Sequence, residues 1–184
     1  MSETSDKSLQ VVGGGDGKEG VPSTQAKEAS GSQNLDGAIA GVNPNNLRDN
    51  CGPIAIAVVR RLTGEDSEAV AEPNAHGSSF PKLESHWGEK IDWRVRGVED
   101  VYNKVSASGE GAIAAMFVRD LLTGYGHVVI VANRAGVVGC LEGQDWGGQG
   151  GAGVISNPQV AAHRYDPDGY NQVGIIMIRK GKEK

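Results

Sequence analysis

The second half of this 184-residue chain alternates four apolar runs, rich in β-branched residues, with glycine-containing turns, and that pattern limits the fold more than any other feature. The runs are GAIAAMFVRD (111–120), HVVIVAN (127–133), VVGCLEG (137–143) and QVGIIMIRK (172–180). Such side chains fit the pleated surface of a sheet, and the intervening breaks suit tight connections. Upstream, Ile54, Ala55, Val58, Val59 and Leu62 recur at three- and four-residue spacing, the pattern of a helix burying one stripe. Pro53 suits its first turn, where a missing N–H is harmless, and Thr63-Gly64 supplies a stop. A second helix is expected over 98–106, with Val98, Val101, Tyr102 and Val105 on one side. Helix first and sheet afterwards gives an α+β fold with a small antiparallel sheet. The stretch 71–97 reads as loop-rich with a short strand near 91–95. GQDWGGQGGAG (143–153) and SNPQVAAHRYDPDGY (156–170) read as connections before the last strand.

Residues 1–42 contain no aromatic side chain and many Gly, Ser, Glu and Lys. They bury too little apolar area to offset chain entropy, so a disordered tail or linker is expected there, followed by one catalytic domain over 43–184. The net charge is −5 and the basic residues are scattered apart from the terminal RKGKEK, which excludes a dominant phosphate-binding surface and, with it, a nucleic-acid partner. No apolar run approaches the roughly 20 residues that span a bilayer, and the first residues lack the basic start and apolar centre of a signal peptide. Neither membrane insertion nor Sec export is therefore expected. Two cysteines allow at most one disulfide, against which their unlike surroundings argue. The absence of Cys-x-x-Cys and His-x-x-x-His spacing leaves no metal site, and no cofactor is expected.

Cys51 opens the first helix, just after the polar, turn-prone NPNNLRDN. A thiol there sits near the positive end of the helix dipole and beside unpaired backbone N–H groups, which lower its pKa and can hold a developing oxyanion. Position alone leaves two readings, a buried small residue or a nucleophile. A base within reach decides between them.

Of the four histidines, His76, His86 and His163 lie in polar, loop-like sequence and read as surface residues, whereas His127 begins the clearest strand after the turn TGYG. If the hairpin around NRAG turns through two residues (Arg134, Ala135) or four (133–136), Glu142 lies directly across from His127, where it can orient the ring and stabilise imidazolium. A three-residue turn brings Leu141 or Gly143 opposite instead, with Gln144 or Asp145 as the substitute partner. Cys140, inside an apolar strand, reads as structural. The glycine-rich loop lacks the Gly-Lys-Ser/Thr of a phosphate loop and reads as a mobile cleft edge, where Trp146 is a packed aromatic or a substrate contact.

NCGPIAIAVVRRLTG and GHVVIVANRAGVVGCLEGQDWG, taken together, resemble the papain-fold toxin domains called toxin glutaminases, found at the C-termini of bacterial polymorphic toxins. The resemblance spans residues 43–147 and implies a papain-like fold with Cys51 as nucleophile, His127 as general base and Glu142 as orienting residue, where the family more commonly has Asp. Gln144 is similar to the family's following Gln. Backbone N–H of Cys51 would hold the oxyanion with a side chain from just upstream, Asn50, Asn46 or Asn45; Gln144, Asp145 and Trp146 are further candidates for substrate contacts.

What the resemblance implies is a secreted or injected bacterial effector, exported by a non-Sec route, that deamidates a glutamine of a protein in the target-cell cytoplasm and has a cognate immunity protein. A cysteine protease and a catalytically silent papain-like binding module are the alternatives.

Overall fold

The computed structural model describes residues 35–73 and 75–179. Helix α1 (Cys51–Thr63) is followed by α2 (Phe80–Trp87) and α3 (Val98–Ala107). The chain then runs through strands β1 (Ile113–Asp120), β2 (Gly126–Arg134), β3 (Val137–Glu142) and β4 (Gly153–Ile155), helix α4 (Pro158–Tyr165) and strand β5 (Asn171–Ile178). The strands form one antiparallel sheet in the order β4-β3-β2-β1-β5.

Both faces of this sheet are covered, which is why its central strands read as nearly continuous apolar runs rather than as an alternation. One face, with Ile113, Ala115, Phe117, Val128, Ile130 and Leu141, packs with the Ile54, Val58, Val59 and Leu62 stripe of α1. The other, with Ala114, Met116, Val118, Val129, Val131 and Cys140, packs with α3 and α4 through Val98, Val101, Val105 and Ala161. Ile130 has no exposed surface at the centre of this stack. Truncating such a side chain to alanine costs about 2–5 kcal/mol, the lost transfer energy plus the cavity left behind.

Helix α1 ends as its sequence predicts: Gly64 adopts φ 80° and its N–H returns to Arg61 O. Helix α3 and the four long strands lie within two residues of their predicted bounds.

Other elements depart from expectation. Residues 35–39 are helical, and Leu35, Ala38 and Val42 are buried in the α1-side core; the Ala71 N–H donates to Val42 O at 2.8 Å. The boundary at residue 42 therefore cuts into the fold, because three apolar side chains suffice to anchor a segment whose average composition is polar. Residues 1–34, the rest of the expected tail, lie outside the described residues.

Helix α2 replaces an expected loop. It is only eight residues long and buries just Leu83 and Trp87, too few positions to show a periodic stripe. The region 91–95 is not a strand but a single bridge, Asp92 to Ile175. Helix α4 and β4 occupy what read as connection. The signal for α4 was present in Asn157-Pro158: the Asn157 side chain accepts from the N–H of Gln159 and Val160, and proline stands in the first turn. Consequently His86 sits on α2 and His163 on α4, neither of them in a loop.

The β2–β3 turn is Ala135-Gly136, with φ 52° and 79°, the left-handed pair of a tight hairpin turn. Pairing runs from Arg134↔Val137 to Ile130↔Leu141, two residues away from the expected register, so His127 is not directly across from Glu142. The shift is even. Side chains alternate with period two, so both residues keep the same face and become diagonal neighbours, still within reach of a long side chain.

Candidate active site

The site lies where the sheet's two covered faces meet, at the end from which β2 starts and at which β3 stops. Cys51 begins α1 on one face; His127, second residue of β2, and Glu142, last residue of β3, point to the other. The start of α1 is closely overlaid by the chain around Ser78. A Cβ on Gly52 would stand 2.7 Å from the Ser78 Cβ, so only glycine permits this approach.

His127 Nε2 is 2.9 Å from Glu142 Oε2, with both side chains nearly inaccessible. Its other nitrogen, Nδ1, is buried and has no hydrogen-bond partner fixed in the resting geometry, leaving it for the neighbouring thiol. Burial opposes ionisation of Cys51, but the His127 imidazole and the backbone N–H groups of Val128 and Gly52 outweigh it and hold the thiol below its ordinary value. Burial likewise disfavours imidazolium, yet Cys51 and Glu142 push His127 up to about 9. Glu142 is held below its usual range despite its burial by His127, the Gln144 N–H and the Tyr165 hydroxyl. The three groups thus favour thiolate, imidazolium and carboxylate together.

The diagonal placement of Glu142 is stabilised from both sides. Gln144 N–H donates to Oε1 at 2.9 Å, and Tyr165 OH donates to Oε2 at 2.9 Å. Trp146 packs edge-on against His127, ring centroids 4.8 Å apart, while its Nε1 donates to Gln144 Oε1 at 3.3 Å. Trp146 is thus packed against the site, and its ring also lines the cavity beside it. The Arg164 guanidinium lies 4.7 Å from the Trp146 ring and donates to the carbonyls of Gly150 and Gly151, so the glycine-rich loop is tied to α4. A cavity of about 220 Å³ opens beside His127, lined by Val118, Asp120, Tyr125, Trp146, Arg164 and Tyr165 among others.

The remaining sequence candidates separate clearly. Asn50 is buried as the first-cap residue of α1, but its side chain does not cap the helix: Oδ1 accepts from Gln144 Nε2 at 3.1 Å and Nδ2 donates to Asn43 Oδ1 at 3.0 Å. The Asn50 and Gln144 amides therefore brace α1 against the end of β3. Asn46 is exposed in a turn at φ 50°, and Asn45 is exposed beside it. Asp145 is exposed and accepts the Gly147 N–H at 2.7 Å, so it shapes the loop and is not the partner of His127. His76 is largely exposed and pairs with Asp49 at 2.7 Å.

Three residues were missed by sequence reasoning. Asn43 knots the approach to Cys51, donating to Leu47 O and Gly143 O and accepting from the Leu47 N–H and Asn50 Nδ2. Arg164 and Tyr165 belong to α4, whose sequence reads as a connection; the Asn157-Pro158 cap signals the helix, though not its contacts.

Cys140 has no exposed surface, sits 3.5 Å from the Tyr165 hydroxyl, and is pushed far up by burial. Both cysteines are free. Among the described residues no three or more His, Cys, Asp or Glu side chains gather as a metal-ligand set, and no helix is long and apolar enough to cross a membrane.

The family described as papain fold toxin 1, glutamine deamidase, matches residues 49–146, more than half of the chain. No curated protein and no solved structure matches it.

Proposed function

We propose, from the premise that this chain belongs to the papain-fold toxin glutamine deamidases, that it hydrolyses the side-chain amide of a protein glutamine through Cys51, His127 and Glu142. The observation that carries this reading is the buried imidazole bonded to Glu142 at 2.9 Å, its second nitrogen left for a thiol whose ionisation it favours.

The Cys51 thiolate attacks the carboxamide carbon, and the carbonyl π electrons move onto oxygen. The backbone N–H groups of Cys51 and Gly52 receive that oxyanion. Pro53 has no N–H, the Ile54 N–H is engaged with Asn50 O, and the Asn50 and Gln144 amides hold one another. As the tetrahedral species collapses, the C–N bond breaks and imidazolium gives its proton to the departing nitrogen, releasing ammonia. Neutral His127 then takes a proton from water as the oxygen attacks the thioester. Collapse breaks the C–S bond and restores the Cys51 thiolate beside imidazolium; the new carboxyl group loses its remaining proton to the released ammonia or to solvent, leaving a glutamate side chain. Glu142 stabilises the imidazolium whenever His127 carries the proton and orients the ring when it does not.

Four of the six large apolar side chains that are exposed among the described residues, Leu121, Leu122, Tyr125 and Tyr170, belong to this end of the sheet. Tyr125 lines the cavity beside His127, and Tyr170 precedes Asn171, the strand partner of Asp120. Such a rim favours a protein-borne glutamine over the free amino acid. The corresponding biological reading is a toxin delivered into a target cell by a non-Sec route, with a protective partner protein encoded nearby.

Incubation with target-cell proteins followed by mass spectrometry tests the reaction: deamidation adds about 1 Da at one glutamine and requires Cys51. Chain cleavage would make the protein a protease, and no covalent change in any target would leave a binding module.

A further inference from the structure

We propose that Tyr165 is a positioning residue of this centre, sharing one Glu142 oxygen with His127 and thereby limiting how tightly the carboxylate holds the imidazolium proton. The inference rests on the reading of His127 as the proton-transferring group.

The geometry is specific. Tyr165 OH and His127 Nε2 both lie 2.9 Å from Glu142 Oε2, while Oε1 is taken by the Gln144 N–H. The Tyr165 and His127 rings stack with centroids 5.8 Å apart and planes 18° from parallel. Tyr165 is 3 % exposed, and Asn171 Nδ2 holds its backbone carbonyl at 2.7 Å. Burial keeps its hydroxyl protonated, so it is a standing donor. It also lies outside residues 49–146, on a helix that the family match does not include.

Two donors on one oxygen divide its charge between them. With the tyrosine hydroxyl gone, Glu142 Oε2 would serve His127 alone, imidazolium would be favoured further, and less neutral imidazole would remain to activate water. The other titratable groups around His127 are Cys51 from α1, Arg164 from α4, and Asp120 and Tyr125 across the cavity. Arg164 Nη2, 4.0 Å from Glu142 Oε2, is a second positive neighbour of the same oxygen, beside the neutral Tyr165 hydroxyl. A tyrosine serving only to fill the core would leave the titration of His127 unchanged.

The test is a titration of His127 by NMR in histidine-labelled full chain, with Cys51 in place, for the wild type, Tyr165→Phe, Glu142→Gln and the double variant. Tyr165→Phe is expected to raise the His127 pKa by about half a unit, and to have no further effect once Glu142→Gln is present. An unchanged or lowered value, or the same rise in the Glu142→Gln background, would overturn the proposal. Should Tyr165→Phe fail to fold, 3-fluorotyrosine incorporated in a Tyr125→Phe background strengthens the donor and is expected to lower the His127 pKa; no change would overturn the proposal equally. Because the imidazole is read directly, a protein that shows these shifts without deamidating any target would refute the reaction and leave the positioning role standing.

Discussion

Cys51 and Cys140 place the same thiol in two opposed environments. One opens a helix beside an imidazole and two backbone N–H groups, which hold it below its ordinary pKa in spite of burial. The other is enclosed in the sheet beneath α4, where burial dominates and the thiol stays protonated. Glu142 connects them, bonding through His127 toward Cys51 and through Tyr165 toward Cys140. What separates the two thiols here is whether donors matched to the anion outweigh burial, as they do at Cys51 and do not at the more deeply enclosed Cys140.

The largest expected break in that contrast is Cys51→Ala, which should reduce deamidation by on the order of 10⁴-fold or more, whereas Cys140→Ala should leave turnover near wild type. Next, His127→Ala should lower kcat by on the order of 10³-fold and return the Cys51 thiol toward an ordinary value, read as loss of alkylation at neutral pH. Glu142→Gln should follow, with kcat down on the order of 10²-fold. Glu142 raises the His127 pKa, so its neutralisation should also move the alkaline limb of kcat/KM from about 9 to lower pH.

Smaller still is the effect of pH on folding. His127 titrates near ~6.5 when unfolded and at about 9 when folded. Its stabilising contribution is therefore complete below the first value and lost as pH rises through the second. The Cys51 thiol, held down in the fold by the same imidazole, contributes in the opposite sense over this range, so chemical denaturation should show wild-type stability declining mainly as pH passes about 9, and no such decline in His127→Ala. Cys140→Ala should cost about 1 kcal/mol in the same assay with little effect on the pH profile, which sharpens the distinction between the two thiols.

Much of this was legible in the sequence because it is local. The β-branched runs, the α1 stripe with its Gly64 stop, and the unlike settings of Cys51 and Cys140 each depend on neighbours within a few residues. The His127–Glu142 pairing was legible for a different reason. The turn lies one residue beyond its expected place, but the resulting register shift is even, so the shared face is kept; glutamate then has the length to span a diagonal. What escaped was non-local or short. Helix α2 buries two side chains, the 35–42 segment three, and α4 carries a cap but a weak stripe. The contacts of Asn43, Arg164 and Tyr165 depend on folded distance, for which no spacing rule exists.

The reactivity of the two thiols against pH tests the central claim most directly. Native protein and His127→Ala would be pulsed with iodoacetamide from acid to alkaline pH, with the modified cysteine identified by mass. The account expects Cys51 to react below the ~8.5 of a free thiol, to lose that reactivity in His127→Ala, and Cys140 to remain unmodified while the protein is folded. Cys51 titrating at the ordinary value in both proteins, or reacting no faster than Cys140, would contradict it.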